Sequence, residues 1–161
     1  MKRATMVLAV LALVWGGVGQ TKASVLTFDD IPGIQVPVPN GYGGLHWNNL
    51  SINNGDTFGV GYGAGTVSHP KVIFNGFGNP ADVTSATPFT FVGAYLTGAW
   101  RDGLSIEVVG SRGGTTLYDQ TVVVDAIAPT FFDFRVPSAL SATVVCCCTT
   151  PYFCLSASEL S

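Results

Sequence analysis

Charged residues are scarce in this chain of 161 residues, because Asp, Glu, Lys and Arg together make up only 11% of it. A globular domain usually carries about 25%, and a disordered acidic or basic chain combines more charge with less apolar content. Seven Lys and Arg against ten Asp and Glu cannot supply the basic surface of a nucleic-acid-binding protein. Only two glutamates are present, too few for a coiled coil or a long helical bundle. These absences exclude all three classes.

Long hydrophobic runs are missing after the first 23 residues. Those residues begin with Lys2 and Arg3, continue with an apolar run over 6–15, and end with the small-residue pattern Thr21-Lys22-Ala23. This order is typical of a secretory signal peptide (1–23), so we predict cleavage after Ala23. An uncleaved anchor is the alternative, although the run is shorter than the roughly 20 residues that span a bilayer. Cleavage would leave an extracellular or periplasmic protein with four basic and ten acidic residues, a net charge of −6, and no membrane span.

Alternation and turn chemistry are what the sequence does contain. Apolar side chains occupy alternate positions in four stretches separated by Gly-containing turns: 89–99, 104–108, 117–124 and 131–136. Shorter runs predict earlier strands at 25–28, 45–52 and 72–74, whereas the Asn- and Gly-rich residues 53–68 predict a long surface loop. We therefore predict an all-β domain over 24–137, an antiparallel, jelly-roll-like β-sandwich whose last four strands form a meander.

Four aromatic residues lie in or beside the Gly- and Asn-rich segments: Tyr42, Trp47, Tyr62 and Trp100. Sugar rings stack on aromatic faces while Asn or Asp side chains bind their hydroxyls, so these residues and Asp56 are candidate glycan ligands. Core packing is the alternative for each aromatic residue. Strand patterns around Trp47 and Trp100 favour the core, whereas we expect Tyr42 and Tyr62 to be exposed.

Several segments together carry a resemblance to a known group of proteins: residues 25–30 (VLTFDD), 40–49 (NGYGGLHWNN), 74–78 (FNGFG), 95–104 (YLTGAWRDGL), 110–114 (GSRGG) and 117–118 (LY). The chain resembles secreted bacterial β-sandwich proteins of the PEP-CTERM (exosortase-sorted) type over roughly residues 25–136. That resemblance implies an extracellular jelly roll akin to carbohydrate-binding modules. The sequence departs from the group by lacking its sorting tail and the Asp-Asp or Asp-Asn ending of its last strand.

Two adjacent carboxylates, Asp29 and Asp30, follow the first predicted strand. The resemblance to carbohydrate-binding jelly rolls implies a structural calcium ion at this corner, since calcium takes six to eight oxygen ligands. A turn is the alternative, because Asp side chains accept hydrogen bonds from nearby backbone amides. Calcium is the one cofactor that we expect.

All four cysteines fall between residues 146 and 154, in a C-terminal segment (138–161) of distinct composition. Adjacent cysteines pair only with strain, so a Cys148–Cys154 disulfide across a turn at Pro151 is the most feasible bridge. A zinc site would want Cys-x2-Cys pairs, which the spacing does not provide. A segment without a selected structure remains the alternative to the disulfide.

Signatures of catalysis are few. His46 and His69 are the only histidines, no Gly-x-Ser-x-Gly motif is present, and nothing in the sequence pairs two carboxylates as a glycosidase requires. We therefore predict a secreted, non-catalytic protein that binds extracellular glycans or matrix. The alternatives are a secreted carbohydrate-active enzyme that uses Asp56 in the 53–68 loop, and a purely structural surface protein.

Overall fold

The computed structural model describes residues 24–76, 79–146 and 153–160, and from residue 136 onward it describes the backbone alone. The predicted signal peptide and Cys148 lie outside these residues. Cleavage after Ala23 and the Cys148–Cys154 disulfide therefore stay predictions, although the backbone of Cys154 belongs to the last strand.

Ten β-strands run through the described residues. In chain order they are β1 (Ser24–Leu26), β2 (Val36–Pro37), β3 (His46–Asn48), β4 (Leu50–Asn54), β5 (Lys71–Asn75), β6 (Ala81–Gly98), β7 (Leu104–Arg112), β8 (Thr115–Val124), β9 (Thr130–Cys146) and β10 (Phe153–Leu160). Two short helical segments lie between them, a 3-10 turn at Tyr42–Gly44 and α1 at Gly61–Ala64. Over the ranges described, we find no helix with the length and hydrophobicity that a bilayer crossing requires.

The strands pair antiparallel in the order β2-β4-β5-β10-β6-β9-β7-β8, with β1 added to β10 and β3 to β6. The result is an antiparallel β-sandwich, which confirms the predicted fold class. The predicted meander is wrong in one respect. β7 and β8 form the expected hairpin, but β9 lies between β6 and β7. Alternation reports which side chains share a face, and it leaves open which strands are neighbours.

The C-terminal backbone takes part in the same network. β9 continues past residue 138, where the composition changes, and its second half pairs with β7. β10 pairs with β6 on one side and with β5 and β1 on the other. The predicted domain limits therefore follow composition, whereas strand pairing runs across them.

Alternating side chains build the main core. In β7, Leu104, Ile106 and Val108 are buried, while Ser105 and Glu107 between them are only partly covered. The neighbouring strands contribute further buried residues, namely Phe91, Leu96, Val122, Val124 and Phe134. Each fully buried side chain of this size contributes about 1.5–3 kcal/mol, so this interior is the main source of stability.

β4 and β5 divide that core from a second, smaller one. Ile52 and Ile73 face each other in the β4–β5 register and pack into the main core. Because successive strand residues point to opposite faces, the register pairs Ser51 with Phe74 and Asn53 with Val72 on the other face. This second face supports the candidate site described below.

The predicted strand at 45–52 is two strands. Asn49 has a left-handed φ of 56° and separates β3 from β4. Its side-chain amide nitrogen lies 2.9–3.2 Å from the carbonyl oxygens of Gly76, Asn79 and Pro80, toward which it donates. Asn tolerates this conformation better than a branched residue does, and here it ties the corner to the chain that leads into β6.

Residues 53–68, predicted as a surface loop, include α1, which packs closely on the end of β6. The Gly61 amide donates to the Ala99 carbonyl at 3.1 Å. A Cβ atom at Gly61 would lie 1.7 Å from the Gly98 carbonyl oxygen, so only glycine permits this approach. The segment is thus a fixed wall beside β4 and β5, with Gly61 and Tyr62 buried.

Candidate ligand-binding groove

An open groove of about 570 Å³ lies over the second face of β4 and β5, and its volume falls within the range of protein ligand sites. We call it the Trp100 groove. Its lining residues come from β4, β5, α1 and the adjoining loops: Gln35, Ser51, Asn53, Phe58, Tyr62, Phe74, Gly76 and Trp100. Among the described residues that form this lining, none carries a charge.

Four aromatic rings form one wall of the groove, with Tyr62 at their centre. The centroid of the Tyr62 ring lies 5.3 Å from that of Trp100, 5.7 Å from that of Phe74 and 5.9 Å from that of Phe58. Trp100 and Phe74 both meet Tyr62 edge-on, at interplanar angles of 72° and 83°, which is a favourable arrangement for aromatic pairs. The wall is therefore a packed unit.

Exposure within this wall is the reverse of what the sequence suggests. Tyr62, expected to be exposed, is 3% exposed, because α1 places it between the strands and the β6 end. Trp100, expected in the core, is 55% exposed, because β6 ends at Gly98 and Trp100 lies in the turn before β7. Both expectations are wrong, and the residue that offers a ring to solvent is Trp100.

Polar side chains form the floor. Ser51 and Asn53 project from β4, and Gln35 lies next to β2 with its amide donating to the Ile52 carbonyl at 2.6 Å. Asn53 is buried, and its Oδ1 accepts a hydrogen bond from the Asn54 amide at 3.0 Å. The floor thus presents two side-chain amides and a hydroxyl, each with both donor and acceptor atoms.

Tyr42 and Trp47 belong to a different site, the corner cluster of Phe28, Tyr42 and Trp47. The Trp47 indole donates to the Tyr42 carbonyl at 2.9 Å, and the Phe28 amide donates to the Tyr42 hydroxyl at 3.1 Å. Trp47 is 9% exposed, which confirms its predicted place in the core, whereas Tyr42, expected to be exposed, is half-buried. Neither residue lines the Trp100 groove.

The Tyr42 hydroxyl donates in turn to Asp30 Oδ1 at 2.8 Å. Burial raises the pKa of Tyr42 to about 12, and the hydrogen bond to Asp30 acts in the same direction. The neutral phenol is therefore the form that the fold stabilises.

Asp29 and Asp30 hold separate parts of the fold. Asp29 accepts hydrogen bonds from the Lys71 amide, at 3.0 Å, and from the Ser68 hydroxyl, so each of its oxygens has a protein donor. Asp30 instead holds Tyr42. Within the described residues, no three His, Cys, Asp or Glu side chains come together as a metal site. Both side chains thus act as backbone and loop anchors, and the calcium ion stays a prediction.

Asp56 lies outside the groove lining and is exposed. Its Oδ1 lies 2.8 Å from His69 Nδ1, also exposed. Two other acidic residues serve as anchors: Asp82 accepts from the Asn48 side-chain amide at 2.7 Å, and Asp102 accepts from the Ala126 amide at 2.8 Å. The geometry therefore gives Asp56 an ion-pairing role at the surface.

Of the groove residues, the sequence predicts Tyr62 and Trp100 and misses Gln35, Ser51, Asn53, Phe58 and Phe74. A signal for three of them existed. The alternation within LSINN and KVIFN assigns Ser51, Asn53 and Phe74 to one face, but short strands do not reveal which face is open.

No protein-family model matches the sequence, and no curated protein does. Among solved structures, the chain is similar to the K1 cleaved adhesin domain of Lys-gingipain from Porphyromonas gingivalis W83. The TM-score is 0.51 at 9% identity, over 88% of this chain and 98% of that one. An F5/8 type C domain from Bacteroides fragilis gives a TM-score of 0.43 at 15% identity, over 81% and 98% of the two chains. The first likeness shows a shared fold, and the second supports no conclusion about this chain.

Proposed function

We propose that this chain is a secreted, non-catalytic β-sandwich protein that binds extracellular glycan in the Trp100 groove. One observation carries the proposal: the half-exposed Trp100 ring stands beside a floor of side-chain amides and a hydroxyl. A sugar ring needs an apolar surface for its C–H face and hydrogen-bond partners for its hydroxyls, and this groove offers both.

The support beneath Trp100 also favours binding. Tyr62 meets the Trp100 ring edge-on, and Tyr62 is itself fixed by α1 against β6. A ring that is already held in place loses little conformational freedom when a ligand stacks on it, so less of the interaction free energy is spent on ordering.

The comparisons and the sequence agree with this role. The fold is shared with a domain named as an adhesin, which is in keeping with a binding function. The predicted signal peptide and the resemblance to secreted PEP-CTERM-type proteins favour an extracellular location.

Retention on a panel of immobilised polysaccharides tests the proposal. The wild-type chain should be retained by at least one glycan, and Trp100→Ala should lose that retention while unfolding at nearly the same denaturant concentration. Leu117→Ala is the matched control, because Leu117 is also a large exposed residue but lies on β8 and does not line the groove. Retention by no glycan would overturn the proposal in favour of a structural surface protein, and equal loss in both variants would overturn the assignment of the groove.

A further inference from the structure

We infer that the Trp100 groove selects uncharged glycans over acidic ones, an inference that rests on the proposed function. The first ground is the lining itself, which consists of aromatic, amide, hydroxyl and glycine residues. Arg101 follows Trp100 in the chain and is exposed, but it does not line the groove. Asp56 is likewise outside the lining and is paired with His69.

The second ground is the match of hydrogen-bonding capacity. Gln35, Asn53 and Ser51 each present donor and acceptor atoms, as a sugar hydroxyl does. A carboxylate or sulfate group only accepts hydrogen bonds and carries a charge, and removing that charge from water is costly without a cation to pair with it. The groove lining supplies no such cation, so an acidic sugar loses more on entry than a neutral one.

An aromatic wall without charge also suits a quaternary ammonium ion, which binds among several ring faces. The ring geometry disfavours that ligand here. Tyr62 is 3% exposed, and its contacts with Trp100, Phe74 and Phe58 fill the space that a cation would need between them. One open ring, that of Trp100, makes a stacking platform for a sugar, not a cage.

Matched pairs of polymers test the selectivity. Binding of the wild-type chain is measured on hydroxyethyl cellulose against carboxymethyl cellulose, and on galactan against polygalacturonate, with choline as a separate probe. We expect one neutral polymer to bind, its acidic counterpart to bind roughly tenfold more weakly or worse, and the neutral affinity to hold between about 0.05 and 0.5 M NaCl, because screening acts only on charge.

The groove also offers a variant that should change the selectivity. Gln35 lies at its exposed edge, so Gln35→Lys should fold normally and gain binding to the acidic polymer, and added salt should remove that gain. Gln35→Glu is the control and should bind the acidic polymer no better than wild type.

Each result bears on the inference separately from the proposed function. Wild-type binding to acidic polymers that salt abolishes would overturn the selectivity and leave glycan binding intact. Binding of choline without any glycan would overturn both, as would failure of every neutral and acidic polymer to bind. An unchanged preference in Gln35→Lys would overturn the role given to the lining.

Discussion

The corner cluster and the Trp100 groove are both built on aromatic residues in Gly- and Asn-rich sequence, yet only one of them is open. In the corner cluster the Phe28 and Trp47 rings meet edge-on at 5.4 Å, and both residues belong to the main core. In the groove, Tyr62 joins a small core with Val72 and Ala99, and Trp100 extends from it into solvent. The first arrangement fixes the fold, and the second leaves a ring available.

Hydrogen bonding separates the two regions as clearly as burial does. In the corner cluster the Trp47 indole donates to the Tyr42 carbonyl, and the Tyr42 hydroxyl links Phe28 to Asp30. These bonds direct polar atoms inward, toward the protein. In the groove, the amides and hydroxyl of the floor stand beside open space. The number of aromatic residues in a segment therefore says less about binding than the partners of their polar neighbours do.

The same substitution in each region should give the largest contrast. Trp47→Ala should lower the free energy of unfolding by about 3–5 kcal/mol, since it removes a buried ring from the main core. Trp100→Ala should cost less than about 1 kcal/mol, because more than half of that side chain is already in water. Urea unfolding of both variants measures the difference, and equal losses would show that the two regions are not distinct.

The next effect, in order of size, concerns what holds the groove wall. Gly61→Ala should destabilise the chain by about 1–3 kcal/mol and weaken glycan retention, because the new methyl group would collide with the Gly98 carbonyl and displace α1 with Tyr62. Gly59→Ala is the control, since a Cβ atom there meets nothing within 4 Å. Comparable unfolding curves for the two variants would contradict the close packing of α1 on β6.

How far the sequence predicts this molecule depends on which physical rule is used. Period-two alternation identifies the strands β6 to β9 and the buried face of β7, because it follows directly from strand geometry. It cannot place β9 between β6 and β7, since that order depends on contacts between residues far apart in the chain. The fold class was therefore predictable and the strand order was not.

The site was harder to predict than the fold. Tyr62 looks exposed in a run of glycines, but those glycines let α1 approach β6 closely enough to bury it. Trp100 looks like a core residue in an alternating strand, but the strand ends two residues earlier. In both cases backbone packing decides exposure, and local composition does not record it.

The smallest predicted effect lies in the corner cluster and depends on pH. A tyrosine whose folded pKa is raised to about 12 contributes stability that is fully present below its unfolded pKa, about 10, and is lost as the pH rises toward 12. Below pH 10, Tyr42→Phe should be less stable than wild type by about 1 kcal/mol, because Phe28 and Asp30 lose their hydroxyl partner.

Above that pH the stability difference between wild type and Tyr42→Phe should shrink, because only wild type must hold a neutral phenol against deprotonation. Urea unfolding of both proteins at intervals from about pH 9 to 12 measures this. The comparison cancels the contribution of Tyr118, whose pKa is also raised, chiefly by burial. A difference that stays constant over this range would mean that Tyr42 titrates alike in the folded and unfolded chains, and that the hydroxyl does not close the corner cluster.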